Sequence, residues 1–438
     1  MNHARIAALA IAAQLWALAA PFAHAQVTIV IDRGYDNPKK IAVVPFGVGA
    51  SLDVENPAGI IGFDLARSGQ FAPLPQANML SMPVKPEEVI YRDWRVLGVE
   101  YVVIGRAEVD FDGKIAVVYQ LFDVLNQKQL ISERLKGDKS TVRDMAHMAS
   151  DAIYEKITGI RGAFSTKIVY VLVNGLGTKA VRYKLEMADV DGARPRTLLE
   201  SQEPILSVVW SPDAKQVAYV SFEKHKPCIF LQTIATGERT MLTDFPGLNS
   251  APEFSPDGRR LAIVLSKDGN AEVYVMDLAT RQLTRVTRYP GAINTEPSWS
   301  ADGKSLIFTS DRGGKPQIYK VALATGMTER LTFDGDYNAR GRLLPDGKHM
   351  VFVHRVDGIF HIALLDIEKD RTMVLTETSL DESPSIAPNG TMLIYATQDK
   401  GRGILAVVSI DGRVKYRLPS AAGDVREPDW SPFLHAPG

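Results

Sequence analysis

With a single cysteine in 438 residues, Cys228, the chain cannot close an internal disulfide, so its folded state rests on burial whatever the redox state of its compartment. That cysteine lies in the apolar run Cys228-Ile229-Phe230-Leu231, where a small buried hydrophobe is expected rather than a reactive thiol. An excess of one charge is also missing. Fifty basic residues face 51 acidic ones, a formal net charge of −1, and nothing in that balance favours nucleic acid or anionic lipid. After residue 25 no apolar run reaches transmembrane length. Glycine-rich phosphate loops, G-x-S-x-G elbows and paired metal-ligand spacings are absent too, which removes the commonest nucleotide-binding and hydrolase readings.

The first 25 residues read as processing rather than fold. Arg5 is their only charge, Ile6 to Ala20 is apolar, and Ala23-His24-Ala25 has the small-residue pattern of a signal-peptide cleavage site. The expectation is an exported protein that starts at Gln26 after cleavage, without direct membrane insertion. Residues 26–162 then alternate strand and helix in an α/β domain of ordinary size. Val27 to Ile31 is a short β-like run before a turn-rich tract, and Ile41 to Phe46 is a buried strand. Ile60 to Ser68 has helical spacing, and Tyr101–Ile104 and Ile115–Phe122 are strands. A helix from Thr141 places Val142, Met145, Ala149, Ile153 and Ile157 on one face, with Gly159 where a C-terminal cap belongs.

Beyond residue 163 the sequence repeats. Trp210-Ser211-Pro212-Asp213, Phe254-Ser255-Pro256-Asp257-Gly258 and Trp299-Ser300-Ala301-Asp302-Gly303 share one pattern. It decays at Leu344-Pro345-Asp346-Gly347 and Ala387-Pro388-Asn389-Gly390, and returns as Trp430-Ser431-Pro432. Aligned on the proline position, the steps are 44, 45, 44, 43 and 44 residues. Pro-Asp/Asn-Gly is a turn: proline sets the first φ, the Asx side chain bonds its own backbone, and glycine takes the positive φ. Four short strands per step is the size of a propeller blade. The first unit lacks an inner strand, and the chain ends on an unpaired one, Pro428 to Ser431. The two should close a six-bladed β-propeller over 163–438.

The large apolar position of each unit (Trp210, Phe254, Trp299, Leu343, Ile386, Trp430) is expected between blades rather than against a ligand. Asp213, Asp257, Asp302 and Asp346 belong to the turns. His349, His354 and His361 have strand spacings that do not converge on one metal. The loops joining blades should ring the channel mouth. Five residues before the apolar position stand Asn249, Asn294, Asn338 and Asp381, in the manner of Asx turns. Three before it stand Ala251, Glu296, Arg340, Ser383 and Glu427, with Glu382 and Arg426 adjacent. Mixed charges do nothing for a turn, but they suit a polar protein partner.

Several stretches carry a resemblance: Ile29 to Asp32 followed by Val43 to Phe46; Lys156-Ile157-Thr158-Gly159-Ile160-Arg161-Gly162-Ala163-Phe164; the F/W-S-P-D-G series; Tyr274 to Leu278; Asn294 to Pro297; and Ala387 to Met392. Over essentially its whole length the chain resembles the TolB family, the periplasmic component of the Tol–Pal system of Gram-negative bacteria. The resemblance implies a non-enzymatic adaptor without a cofactor, leaving room only for a structural ion in the channel. The resemblance further implies support of outer-membrane integrity and of envelope constriction at cell division. The implied partners are the lipoprotein Pal, on the propeller face, and TolA, with other envelope lipoproteins and colicin-type translocation segments beside them. TolA would take the segment Gln26, Val27, Thr28, Ile29, Val30, Ile31, Asp32, Arg33, Gly34. Pal would take Leu248, Asn249, Ser250, Ala251, Asn294, Thr295 and Glu296, of which Ala251 and Thr295 match the family. Leu248 stands where the family often has histidine. Arg340, Glu382, Arg426 and Glu427 join that face from the ring geometry. The rival from another class is a propeller enzyme, a metal-dependent lactonase or glycosidase-like hydrolase working in the channel.

Overall fold

A computed structural model describes residues 37–49, 52–419 and 423–434. The expected signal peptide, the 26–34 segment and the strand expected over 27–31 lie outside the described residues. The chain forms an α/β region followed by a six-bladed β-propeller. No helix among the described residues is long and apolar enough to cross a membrane.

The N-terminal sheet contains β1 (Lys39–Val43), β2 (Gly47–Val48), β3 (Phe71–Pro73), β4 (Tyr101–Val109), β5 (Ile115–Asp123) and β6 (Lys128–Gly137). Its order is β3-β1-β4-β5-β6, parallel as far as β4 and antiparallel after it, with β2 also on β4. The strand expected over 41–46 stops at Val43. Pro45 has no N–H to give, and Phe46 bonds instead to the side chain of Asn56, through N–H to Oδ1 at 3.2 Å and Nδ2 to O at 3.0 Å. The same Asn56 Oδ1 accepts from Ala58 and caps helix α1 (Pro57–Arg67). The short helix α2 (Tyr91–Val96) and strand β6 were not foreseen; β6 is mostly exposed and polar, with only Ile131 fully buried.

Helix α3 (Val142–Thr158) buries Val142, Met145, Ala149 and Ile153 against the sheet, with Ile157 half-buried beside them. It ends at Gly159, whose φ of 75° is left-handed and whose N–H bonds Glu155. The chain then turns sharply into the propeller. A Cβ on Gly162 would lie 2.5 Å from the Cα of Asp151, so only glycine fits there. Asp151 holds the turn by accepting from Phe164 N at 2.6 Å, Ser165 N at 3.1 Å and Ser165 Oγ at 2.5 Å. The Arg161 guanidinium stacks 3.8 Å from the Phe433 ring, and Asn389 donates to its carbonyl. The junction motif is thus a joint between the two regions.

Six four-stranded antiparallel sheets follow, one per repeat, and the last inner strand, Asp424–Trp430, pairs with Lys167–Asn174 to close the ring. The Pro-Asp-Gly turns are self-contained: Asp213, Asp257 and Asp302 each accept from the serine two residues earlier and the backbone two residues later. The tryptophans pack between blades, and their indole N–H groups reach neighbouring elements: Trp210 to Asp429 O, Trp299 to Glu253 O, and Trp430 to Thr166 Oγ1.

Between the two regions lies a charge network, buried at Asp64, Arg67, His147, Asp189 and Asp191 and open to solvent at Arg194. From α1 and α3 come Asp64, Arg67, Arg143, Asp144 and His147; from the first blade come Lys167, Asp189, Asp191 and Arg194. His147 Nδ1 lies 2.6 Å from Asp64 Oδ2, and its Nε2 faces Asp189 and Asp191 oxygens at 3.9 and 4.0 Å.

Candidate functional site at the channel mouth

Each inner strand carries a β-bulge at one position. The register against the second strand shifts between Leu206 and Val209, Ser250 and Glu253, Thr295 and Ser298, Ala339 and Arg342, Glu382 and Ser385, and Arg426 and Asp429. At every bulge one non-glycine residue takes a left-handed φ: Ser207, Ala251, Glu296, Arg340, Ser383 and Glu427, all between 48° and 54°. A bulge re-aims a side chain, and such strain persists only where the surroundings over-determine it. Here all six residues line the central channel. This corrects the expected placement of Ala251, Glu296, Arg340, Ser383 and Glu427 in interblade loops: they stand on strands and are held rigidly. Ser207 completes the ring. Counting three residues back from Trp210 would have found it.

Arg340 is the centre of this ring. Its Nε donates to Glu296 Oε1 at 2.8 Å, and its Nη1 reaches Ser383 Oγ and, at 3.4 Å, Glu427 Oε2. The neighbouring carboxylates, Glu427 foremost and then Glu296, hold its proton more firmly than usual despite burial. Burial pushes the Glu382 carboxyl up, and Glu427 beside it adds to the effect while Arg340 and Arg426 oppose it. One residue before the apolar position stands a second group, Arg342 and Asp429 on the same channel wall and Glu253 paired with Arg342. Arg342 Nη1 pairs with Glu253 Oε2 at 3.0 Å, yet burial, aided by Asp429, pushes the Glu253 carboxyl up to about 7. Asp429 is raised by burial as well, while accepting from Ser385 Oγ and Trp210 N. This group went unread in the sequence, although the period-2 spacing of a strand points to it. The channel space lined by the ring, Arg342 and Asp429 is about 60 Å³, room for a few waters.

Asn249 and Asn294 need correction as partner-facing residues, because both are fully buried. Asn249 clamps its own loop, accepting from Phe245 N and donating to Phe245 O and Gly247 O. Asn294 donates to Glu272 and accepts from Arg312. Asn338 and Asp381 act likewise, with Asp381 accepting from Thr378 and Thr397. These four position the rim without presenting themselves. Leu248 is half-buried against the core between the third and fourth blades, and its N–H bonds Ser266 Oγ. Ser250, Thr295, Glu382 and Arg426 are half-buried on the inner strands. The rim also exposes Leu206, Tyr289, Ile293, Phe333 and Leu380.

Two of the three clustered histidines do meet. His354 and His361 are cross-strand partners in the fifth blade, while His349 pairs with Asp346 at the far end of the same strand. His354 Nδ1 lies 2.6 Å from Asn338 Oδ1, which ties it to the rim scaffold. Among the described residues only His147, Asp189 and Asp191 are close enough to hold a metal ion together. The donor set does not suit one. Arg143 bonds both aspartates, and Lys167 and Arg194 also bond Asp189, so an arriving cation would have to displace cations.

Two family models match the chain: the TolB amino-terminal domain over residues 27–130 and the TolB beta propeller domain over residues 154–434. The Tol-Pal system protein TolB of Pseudomonas aeruginosa is 55% identical over 422 residues, covering 96% of this chain and 97% of that protein. Its counterpart in Pseudomonas entomophila is 54% identical, covering 93% and 94%. The crystal structure of TolB from Acinetobacter baumannii superposes with a TM-score of 0.83 at 45% identity, covering 93% of this chain and all of that one.

Proposed function

The chain belongs to the TolB family, the periplasmic component of the Tol–Pal system, and on that premise we propose that it is a non-enzymatic adaptor. It is exported by cleavage after Ala25. Its channel mouth binds Pal, and residues 26–34 bind TolA, so that one molecule links two envelope partners in support of outer-membrane integrity and cell division. The observation that carries this reading is the ring of six bulge residues. All are aimed into one mouth, and Glu296, Arg340 and Glu427 are locked in place before any partner arrives. A preorganised polar ring inside an apolar rim has the anatomy of a protein interface, in which rigid charges set specificity and little ordering cost remains.

The same geometry weighs against a channel enzyme. About 60 Å³ holds water but not a sugar ring or a lactone. Glu253 is paired with Arg342, and Asp429 accepts from Ser385 Oγ and Trp210 N, so neither carboxylate stands unpartnered as a catalytic acid or base would.

Calorimetry with purified Pal tests the reading. Arg426→Ala, at the rim, is expected to weaken binding about fivefold, and Arg340→Ala by tenfold or more, since the latter also strands Glu296 and Glu427. Deleting residues 26–34 should abolish TolA binding and leave Pal binding intact. Pal affinity unchanged in both arginine variants, or lost with the deletion, would overturn the assignment of surfaces.

A further inference from the structure

A cleft of about 570 Å³ runs between the third and fourth blades, apart from the channel. Four arginines line it, Arg260, Arg285, Arg288 and Arg312, and no lining residue is acidic. Arg285 is paired with buried Glu272 at 3.1 Å, and Arg260 stacks on Trp299 with Asp257 4.0 Å away. The other two have no carboxylate within ion-pair distance among the described residues. Arg312 is held between the rings of Tyr289, Phe308 and Tyr319, 4.7 to 5.1 Å from their centres, and burial lowers its hold on its proton. Exposed Arg288 makes no hydrogen bond or ion pair within the described residues. A cation fixed on aromatic faces has lost its freedom in advance, so an incoming anion meets a formed site.

One wall of the cleft is the outermost strand of the third blade, Leu283–Arg285, which pairs on one side only. Val275, Val286 and Leu323 supply apolar surface beside it. Unpaired strand edge, apolar floor and uncompensated arginines together fit one class of occupant. We propose that this cleft binds an extended acidic peptide segment of a partner protein, which adds along the strand edge and places its carboxylates on Arg288 and Arg312. The site is separate from the channel mouth and stands whether or not Pal binds there.

Fluorescence anisotropy on the full chain tests it, using a short labelled peptide that alternates glutamate with valine. A matching lysine–valine peptide and phosphatidylglycerol vesicles form the other arms. The glutamate peptide should bind in a salt-sensitive manner, with Arg288→Glu weakening it about fivefold or more. Lys179→Glu, an exposed charge in the first blade, should leave it unchanged, as should Arg340→Ala in the channel. Absence of glutamate-peptide binding, equal binding of the lysine peptide, indifference to Arg288→Glu in a variant that melts normally, or capture of vesicles in place of peptide would each overturn the proposal.

Discussion

Buried charge is handled in opposite ways in two parts of this molecule. In the joint between the α/β region and the propeller, Asp64, Asp144, Asp189 and Asp191 meet Arg67, Arg143, Lys167, Arg194 and, when protonated, His147. Every carboxylate has a cation, and most have two. In the channel, Glu253, Glu296, Glu382, Glu427 and Asp429 share, among the described residues, only Arg340, Arg342 and Arg426. The joint is saturated and serves to fix two bodies. The channel is left short of cations on a strained backbone, and a site kept short of cations has something to gain from a partner. Buried ion pairs rarely add net stability over apolar packing, but removing one member costs heavily. The joint should therefore be the more damaging place to cut.

The largest effect is expected from Asp189→Ala. That carboxylate accepts from Arg143, Lys167 and Arg194, so its loss leaves three cations crowded with too few partners. Urea denaturation should show a loss of about 3–5 kcal/mol, together with freer movement between the α/β region and the propeller by small-angle scattering. A loss under 1 kcal/mol would mean that water already screens the joint and that the contrast with the channel is false.

Titration separates the two regions next. Burial would depress the pKa of His147, but Asp64 at 2.6 Å overrides it and the net direction is up. Stability from this histidine is then complete below its unfolded value of 6.5 and fades as pH rises through the folded one. Glu253 is the opposite case, a carboxyl raised from 4.5 to about 7. The folded state keeps its proton longer, so stability falls as pH rises between those values. Comparing each variant with the parent isolates the two contributions. His147→Gln should cost about 1–3 kcal/mol at pH 6 and less in alkaline solution. Glu253→Gln should gain about 1 kcal/mol above neutral pH and nothing near pH 4. Parallel pH profiles for the two variants would break the comparison.

The sequence shows the propeller far more plainly than the site. Strong turn chemistry repeats in each blade, so the Pro-Asp-Gly series gives the blade count, and the missing first strand with the surplus Trp430 segment gives the closure. The Gly159 cap is likewise a local fact that one residue can carry, whereas the requirement for glycine at Gly162 arises only from the approach of Asp151. Strand β6 is obscured because it leans on the core through Ile131, with only partly buried Leu130 and Leu135 beside it, and turns charge outward along most of its length. The channel ring was half legible. The spacing finds Ala251, Glu296, Arg340, Ser383 and Glu427, but nothing in an Ala, Glu or Arg announces a left-handed φ, so strand bulges pass for loops. Asn249 and Asn294 have the right register and the wrong burial. The joint was invisible, because Asp64, His147 and Asp189 come together only once two separately folded regions touch.

The smallest effect bears on what the bulges are for. A left-handed non-glycine residue costs about 1 kcal/mol, and glycine removes that cost while adding freedom to the unfolded chain. Ser207 and Ala251 sit at φ 50° and 48° with side chains outside the Arg340 network. Ser207→Gly and Ala251→Gly should therefore raise stability slightly, by about 0.5 kcal/mol each, as read by thermal melts. Stability is only half of the measurement. If the strain serves to aim the ring, the double variant will melt higher and yet bind Pal, the partner proposed for this face, more weakly, because the bulges it relaxes support the register of Glu296 and Glu427 on the adjoining strands. If the double variant gains stability with no change in affinity, the bulges serve only to curve the inner strands around the channel, and the contrast between a saturated joint and a poised mouth rests on charge alone.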